Sequence, residues 1–165
     1  MISARVAQIE DEEHLQTLID AGVAEVAEKK GGERWLSTEG AWINEVELSL
    51  LLTALPVSKV AAGRLGRDDP LHPTVIVGCI GAVPVSVATL ALSGPVAQLT
   101  AIFTLPEARG VGVGDALLAE CERFALAAGA TVLESVALPG DRHTKNFFEA
   151  HGMVSRLLVV SRSLS

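Results

Sequence analysis

The chain contains no tyrosine. No phenol is therefore available to donate a proton, and a site that needs an acid must find another group. Cysteine is nearly as scarce: Cys79 and Cys121 make no metal or redox spacing, and each sits in an apolar context. Two such residues exclude a disulfide scaffold, read as small buried hydrophobes, and suit a reducing cytoplasm. Positive charge is in deficit. Thirteen Lys and Arg against 20 Asp and Glu leave a formal charge of -7 and a pI near 5.0. A nucleic-acid binder needs a basic face, so no nucleic-acid partner is expected, although a pocket of local positive charge is compatible with this balance. The N-terminal stretch MISARVAQIEDEEHL lacks the apolar core of a signal peptide.

Asp, Glu, Lys and Arg are all missing between Pro70 and Pro106. A run of that length is long enough to cross a membrane. However, Gly78, Gly81, Pro84, Gly94 and Pro95 interrupt it, and Val, Ile and Thr dominate the pieces between. Punctuated β-branched runs read as consecutive strands of a buried sheet, so no membrane partner is expected. The apolar share of 49% over 165 residues predicts one domain, 1–165, with a single substantial core.

What is present falls into a regular order. Ile2 to Ile9 alternates as a first strand. The acidic cluster Glu10 to Glu13 suits the positive start of a helix, which Leu15, Leu18, Ile19 and Val26 continue to Gly31-Gly32. Trp35 and Trp42 fall on a loop, where they either cap the core or line a substrate pocket. Leu48, Leu51, Leu52 and Leu55 predict a second helix, and Pro56 to Pro73 a polar connection. His72, between two prolines, has no partner in sequence, so no metal is expected. Thr74–Ile80, Pro84–Leu92 and Val96–Phe103 are three strands joined by turns short enough for antiparallel hairpins.

The firmest signal runs from Gln98 to Ala128. A short strand leads through Pro106 into Arg109-Gly110-Val111-Gly112-Val113-Gly114. A helix follows, with Leu117, Leu118, Cys121, Phe124, Ala125 and Ala128 on one buried face and Gly129 as its stop. Helix starts carry unpaired N–H groups and a positive dipole end, and glycines allow a phosphate close approach, so this is an anion site. It lacks the Lys-Ser/Thr of a Walker loop and the G-x-G-x-x-G of a dinucleotide fingerprint. A parallel strand over Thr131–Leu138, a short helix over Thr144–His151 closed by Gly152, and a last strand over Val154–Val160 complete the pattern.

Leu105-Pro106-Glu107-Ala108-Arg109-Gly110-Val111-Gly112-Val113-Gly114, followed by Leu117-Leu118, resembles the acyl-CoA-binding motif of the GNAT superfamily of N-acetyltransferases. Asn146-Phe147-Phe148-Glu149-Ala150-His151-Gly152-Met153 is similar to that family's last helix and turn. The resemblance covers Thr74 to Leu164 by motif and the rest by element order. It implies an α/β fold with a GNAT-like mixed sheet flanked by helices, in the order β-α-α-β-β-β-α-β-α-β. It also implies a splay between the fourth and fifth strands that takes the pantetheine arm.

The implied activity is transfer of an acetyl group from acetyl-CoA, as co-substrate, to a primary amine of a small molecule, by direct attack on the thioester, with protein N-acetylation not separated from it by sequence. The implied cofactor contacts are Ile102, Phe103, Thr104, the loop residues Arg109, Gly110, Val111, Gly112, Val113 and Gly114, and Asn146 and Phe148. The backbone of Thr104 is the expected oxyanion donor. The family's usual tyrosine is matched by Phe148, which cannot donate a proton, and its frequent glutamate by Gln98, which cannot act as a base. Glu134 and His143 are the candidate bases, with Asp141 and Glu45 beside them. A CoA-binding regulatory or degenerate module is the alternative. A homodimer is compatible with either.

Overall fold

The computed structural model describes residues 1–45, 48–53, 73–162 and 164. A five-stranded sheet has the spatial order β1-β2-β3-β4-β5, with β1 Ile2–Val6, β2 Thr74–Ile80, β3 Val83–Ser93, β4 Val96–Thr104 and β5 Val132–Ser135. The first four strands pair antiparallel, and β4 pairs parallel with β5. The uncharged stretch after Thr74 thus forms three sheet strands. Among the described residues, no helix is long and apolar enough to cross a membrane.

The sheet separates two packed layers because strand side chains alternate between its faces. On one face Ile76, Ala88, Leu90, Ala97 and Leu99 meet Leu117, Leu118, Cys121 and Phe124 of α5 (Val113–Ala127) and Phe148 of α6 (Arg142–Ala150). On the other, Val75, Val77, Cys79 and Val87 meet Leu15 and Leu18 of α1 (Glu12–Ala27) and Leu48 of α4 (Leu48–Thr53). Both cysteines are buried and free. Burial in the α5 layer pushes the Cys121 thiol up to about 12, so it is an inert packing group.

Before α1, Asp11 is buried and takes two hydrogen bonds from the Arg5 guanidinium, at 2.6 and 2.9 Å. Part of the acidic cluster is therefore an anchor between β1 and α1. The Arg5 contact outweighs burial and holds the Asp11 carboxyl below its ordinary value.

Four expectations are corrected. First, α1 ends at Ala27. Gly31 takes the left-handed turn, φ +86°, and Gly32 opens a further helix, α2 (Gly32–Ser37). Second, Trp35 and Trp42 lie on α2 and on α3 (Trp42–Glu45), helices too short to leave a periodic signature. Third, β5 stops at Ser135, although the apolar pattern runs on to Leu138. Fourth, Val154–Val160 is not a strand: Leu157 is 85% and Val160 84% exposed. The segment passes β5 with Arg156 only 3.9 Å from Glu134, yet makes no ladder with it. Strand-prone residues become a strand only where an edge pairs with them. Leu55, His72 and nearly all of the Pro56–Pro73 connection lie outside the described residues.

Candidate active site

The site begins where β4 and β5 part. Their parallel register runs from Val96–Val132 to Leu99–Ser135 and ends there, while β4 continues to Thr104. The Ser135 hydroxyl donates to the Leu99 carbonyl at 2.9 Å, which marks the last tie between the strands. A bulge between Thr89 and Leu90 of β3 and their β4 partners leaves Thr100 as the extra residue, and bulges bend the strand that carries them. Beyond it, the Leu105 N–H donates to Val85 on the β3 side. By the two-residue alternation of a strand, the N–H groups of Ile102 and Thr104 turn toward the open gap.

A cavity of about 120 Å³ occupies this gap and continues under α1. Its walls include Thr100–Phe103 of β4, Ser135–Leu138 after the split, and Leu18, Val23, Trp35 and Trp42 from the helices. Gly22 allows α1 to lie against the Phe103 ring, since a Cβ there would sit 3.2 Å from it. Two hydroxyls in the wall, Thr89 and Thr100, are 2.7 Å apart and hydrogen-bonded.

The glycine loop leaves β4 through a 3-10 turn, Pro106–Ala108. Gly110 and Gly112 both have positive φ, +78° and +92°, which side-chain-bearing residues rarely adopt. Gly112 is the N-cap of α5, and the first N–H groups of that helix have no intrahelical acceptor. The loop and helix start therefore offer the free backbone N–H groups that an anion cradle needs.

The Arg109 side chain does not turn into the cradle. Its Nε donates to the Thr104 carbonyl at 2.9 Å, and its Nη2 meets Glu25 Oε2 at 2.6 Å. Glu25 also pairs with Lys29 at 2.8 Å, and Lys29 with Asp141 at 2.9 Å. This chain ties α1 to both the loop and α6. Burial pushes the carboxyls of Glu25 and Asp141 up, but their hydrogen bonds outweigh it and hold both below the ordinary range. Burial likewise opposes charge on Lys29, and its two carboxylate partners hold it above its ordinary value.

Among the expected site residues, Ile102 and Phe103 line the cavity, whereas Thr104 ends β4 beside the loop, its hydroxyl 2.7 Å from that of Ser86. Val113 is buried beneath the helix start. The structure does not bring the candidate bases together. Glu134 and His143 are exposed, and neither is a cavity wall. Glu134 stands beside Gln98 in the β4–β5 register, also exposed. Asp141 does reach the cavity, but it caps α6 by accepting from the Thr144 N–H at 3.1 Å and is paired with Lys29. The side chain of Glu45 lies outside the described residues. Asn146 is exposed on α6.

The two adjacent phenylalanines divide. Phe148 is 6% exposed in the α5 layer. Phe147 is the ring at the loop: a Cβ on Gly114 would sit 3.4 Å from it. The His151 ring lies 4.5 Å from that of Phe147, with Nε2 3.0 Å from Asp115 Oδ1 and Nδ1 2.8 Å from the Phe147 carbonyl. Asp115 is thus turned toward His151. Where Phe147, His151, Thr89 and Thr100 point is not legible in the linear sequence, because helix phase and strand register decide it.

Phe148→Ala is expected to lower unfolding free energy by about 3–5 kcal/mol, as for a ring lost from a core. Phe147→Ala is expected to lower it by less, because that ring is only partly buried against the core, and to weaken CoA binding. Denaturant titration and calorimetry on the two variants check this, and a reversed pattern would place Phe148 at the cofactor.

A mixed sheet parted between two parallel strands, with a glycine loop and helix start at one end of the gap, is the arrangement the resemblance to the GNAT fold implies. Residues 61–153 match the model of the acetyltransferase (GNAT) family, and the chain belongs to that family of acyl-CoA-dependent N-acetyltransferases. Comparison with curated proteins finds no match. Solved structures share the fold. An aminoglycoside N-acetyltransferase, AAC(6')-Iy, in complex with CoA is 18% identical, with a TM-score of 0.65 over 100% of this chain and 96% of its own. A ribosomal-protein-alanine N-acetyltransferase from Brucella melitensis is 11% identical, with a TM-score of 0.65 over 100% of both chains. An aminoglycoside acetyltransferase from an uncultured soil metagenomic sample, in complex with sisomicin, is 14% identical, with a TM-score of 0.65 over 99% of this chain and 95% of its own.

Proposed function

We propose that this chain transfers the acetyl group of acetyl-CoA to the primary amine of a small molecule by direct attack on the thioester. The observation that carries the reading is the cavity that joins the β4–β5 gap to the chamber under α1. It provides one channel in which a thioester and an amine can meet. The pyrophosphate would lie on the loop Arg109–Gly114 and the start of α5, held by backbone N–H groups. The pantetheine arm would cross the gap beside Ile102 and Phe103.

In the reaction the amine nitrogen forms a bond to the thioester carbonyl carbon, and the carbon–sulfur bond breaks. Charge developing on the carbonyl oxygen is met by a fixed backbone donor, for which the Ile102 N–H is oriented and stands in the cavity wall. The amine proton passes to water, since the one carboxylate in the described wall, Asp141, is already paired with Lys29. The leaving sulfur needs no dedicated acid, because a thiol with a reference pKa near ~8.5 leaves tolerably as thiolate.

Turnover of acetyl-CoA against a panel of primary amines, with thiol release and the acetylated product both measured, tests the proposal. The missing tyrosine and the lack of a free base in the described wall favour one other reading, a CoA-binding module without catalysis. CoA binding with no turnover on any amine would establish that reading instead.

A further inference from the structure

The chamber under α1 has a chemical character of its own. Leu18, Val23, Leu36, Ile43 and both tryptophans give it an apolar wall. Among the described residues, Asp141 is the one charged group that lines it, and Lys29 and Thr144 already engage that carboxylate. The hydroxyls in the wall are also committed: Thr89 with Thr100, Ser135 to the Leu99 carbonyl, and Thr144 to Asp141. Moving an ammonium into such surroundings without a free counter-charge disfavours its charged form. A second and third ammonium on the same molecule would find no free carboxylate among the described residues of this wall. Gap and chamber together hold about 120 Å³, so the body that fits under α1 is small.

We infer that the acceptor is an amine on an aromatic or branched-alkyl body, taken into this chamber in its uncharged form, and that polycations are rejected. The inference rests on the acetyl-transfer reading and adds the substrate class to it. The body fills the space between α1 and the Trp35 and Trp42 rings, and the single amino group points at the β4–β5 gap. The Trp35 ring is backed by Gly40, where a Cβ would come within 2.5 Å of it, so this wall is closely packed from behind.

The test uses a convenience of the sequence. Trp35 and Trp42 are the only tryptophans in the chain, and both line the chamber, so intrinsic fluorescence reports its occupancy independently of turnover. The full chain, saturated with CoA for binding and with acetyl-CoA for turnover, is titrated with 2-phenylethylamine, spermidine and sisomicin. The expected result is a saturable emission change with 2-phenylethylamine alone, and a kcat/KM for it about 100-fold above either polycation. Val23→Glu, which places a carboxylate in the wall, is expected to reduce that preference at least about tenfold. Emission unmoved by 2-phenylethylamine, or a polycation acetylated within tenfold of it, overturns the inference. Saturable binding of 2-phenylethylamine without acetylation of any amine would leave the chamber's preference standing and remove the transfer reading alone.

Discussion

Gly112→Asp is expected to lower CoA affinity by at least about tenfold while the domain stays folded. Gly112 caps α5 with φ +92°, and a Cβ built there finds only Asp115 Oδ2 at 3.7 Å and Ile2 Cδ1 at 4.0 Å. Space is therefore available, and two separable effects follow. Any side chain at this φ carries strain of about 1–2 kcal/mol. Aspartate adds a negative charge at the mouth of the cradle, where like charges a few ångströms apart repel by up to ~4 kcal/mol near a protein surface. Gly112→Ala isolates the strain. Calorimetric titration with CoA should rank wild type, alanine and aspartate in that order. If aspartate binds CoA as wild type does, the loop is not the pyrophosphate site. If alanine loses as much as aspartate, geometry and not charge is responsible.

The second large effect is on pH. With an acceptor amine of reference pKa near ~10.4, kcat/KM should climb about tenfold per unit through pH 8 and beyond, following the substrate's own ionisation. Among the described residues, the groups at the site do not supply a competing base. Asp141 and Glu25 have folded-state values below their ordinary ones, so both stay ionised and paired with Lys29 throughout this window. Their contribution to stability is present at neutral pH and is lost only as pH falls through those lowered values. Glu134 and His143 stand outside the cavity, so Glu134→Gln and His143→Ala should leave the profile in place. Two active amines of different pKa provide the check. A profile that stays fixed when the amine changes, and collapses in either variant, would reveal a true general base.

Signals that are local in the chain are legible in the amino-acid sequence itself. The three strands after Pro73 are separated by turns at Gly81-Ala82 and Gly94-Pro95, and their observed limits differ from the expected ones by one residue or none. The glycine loop and α5 announce themselves by spacing, with Gly129 closing the helix at φ +88°. What stays hidden depends on distant partners. The Arg109 guanidinium finds Glu25 across 84 residues of sequence, and no local pattern points to it. Phe147 and Phe148 are chemically identical, and only the packing of α6 against α5 decides which is core. Val154–Val160 carries every local mark of a strand and lacks the edge pairing that would make it one.

β5 spans only Val132–Ser135 and pairs along a single edge, whereas β3 is laddered on both sides from Ser86 to Leu90. Segments with so few cooperative ties open at lower free energy than the core. A thioester arm lying between β4 and β5 would replace the missing rungs with its own contacts. The cofactor would then act as a reversible structural member as well as a reactant. Free cofactor at about 100 times its dissociation constant adds roughly 2.7 kcal/mol to the native state. The short β4–β5 seam would thus be the place where acetyl-CoA supply becomes resistance to unfolding.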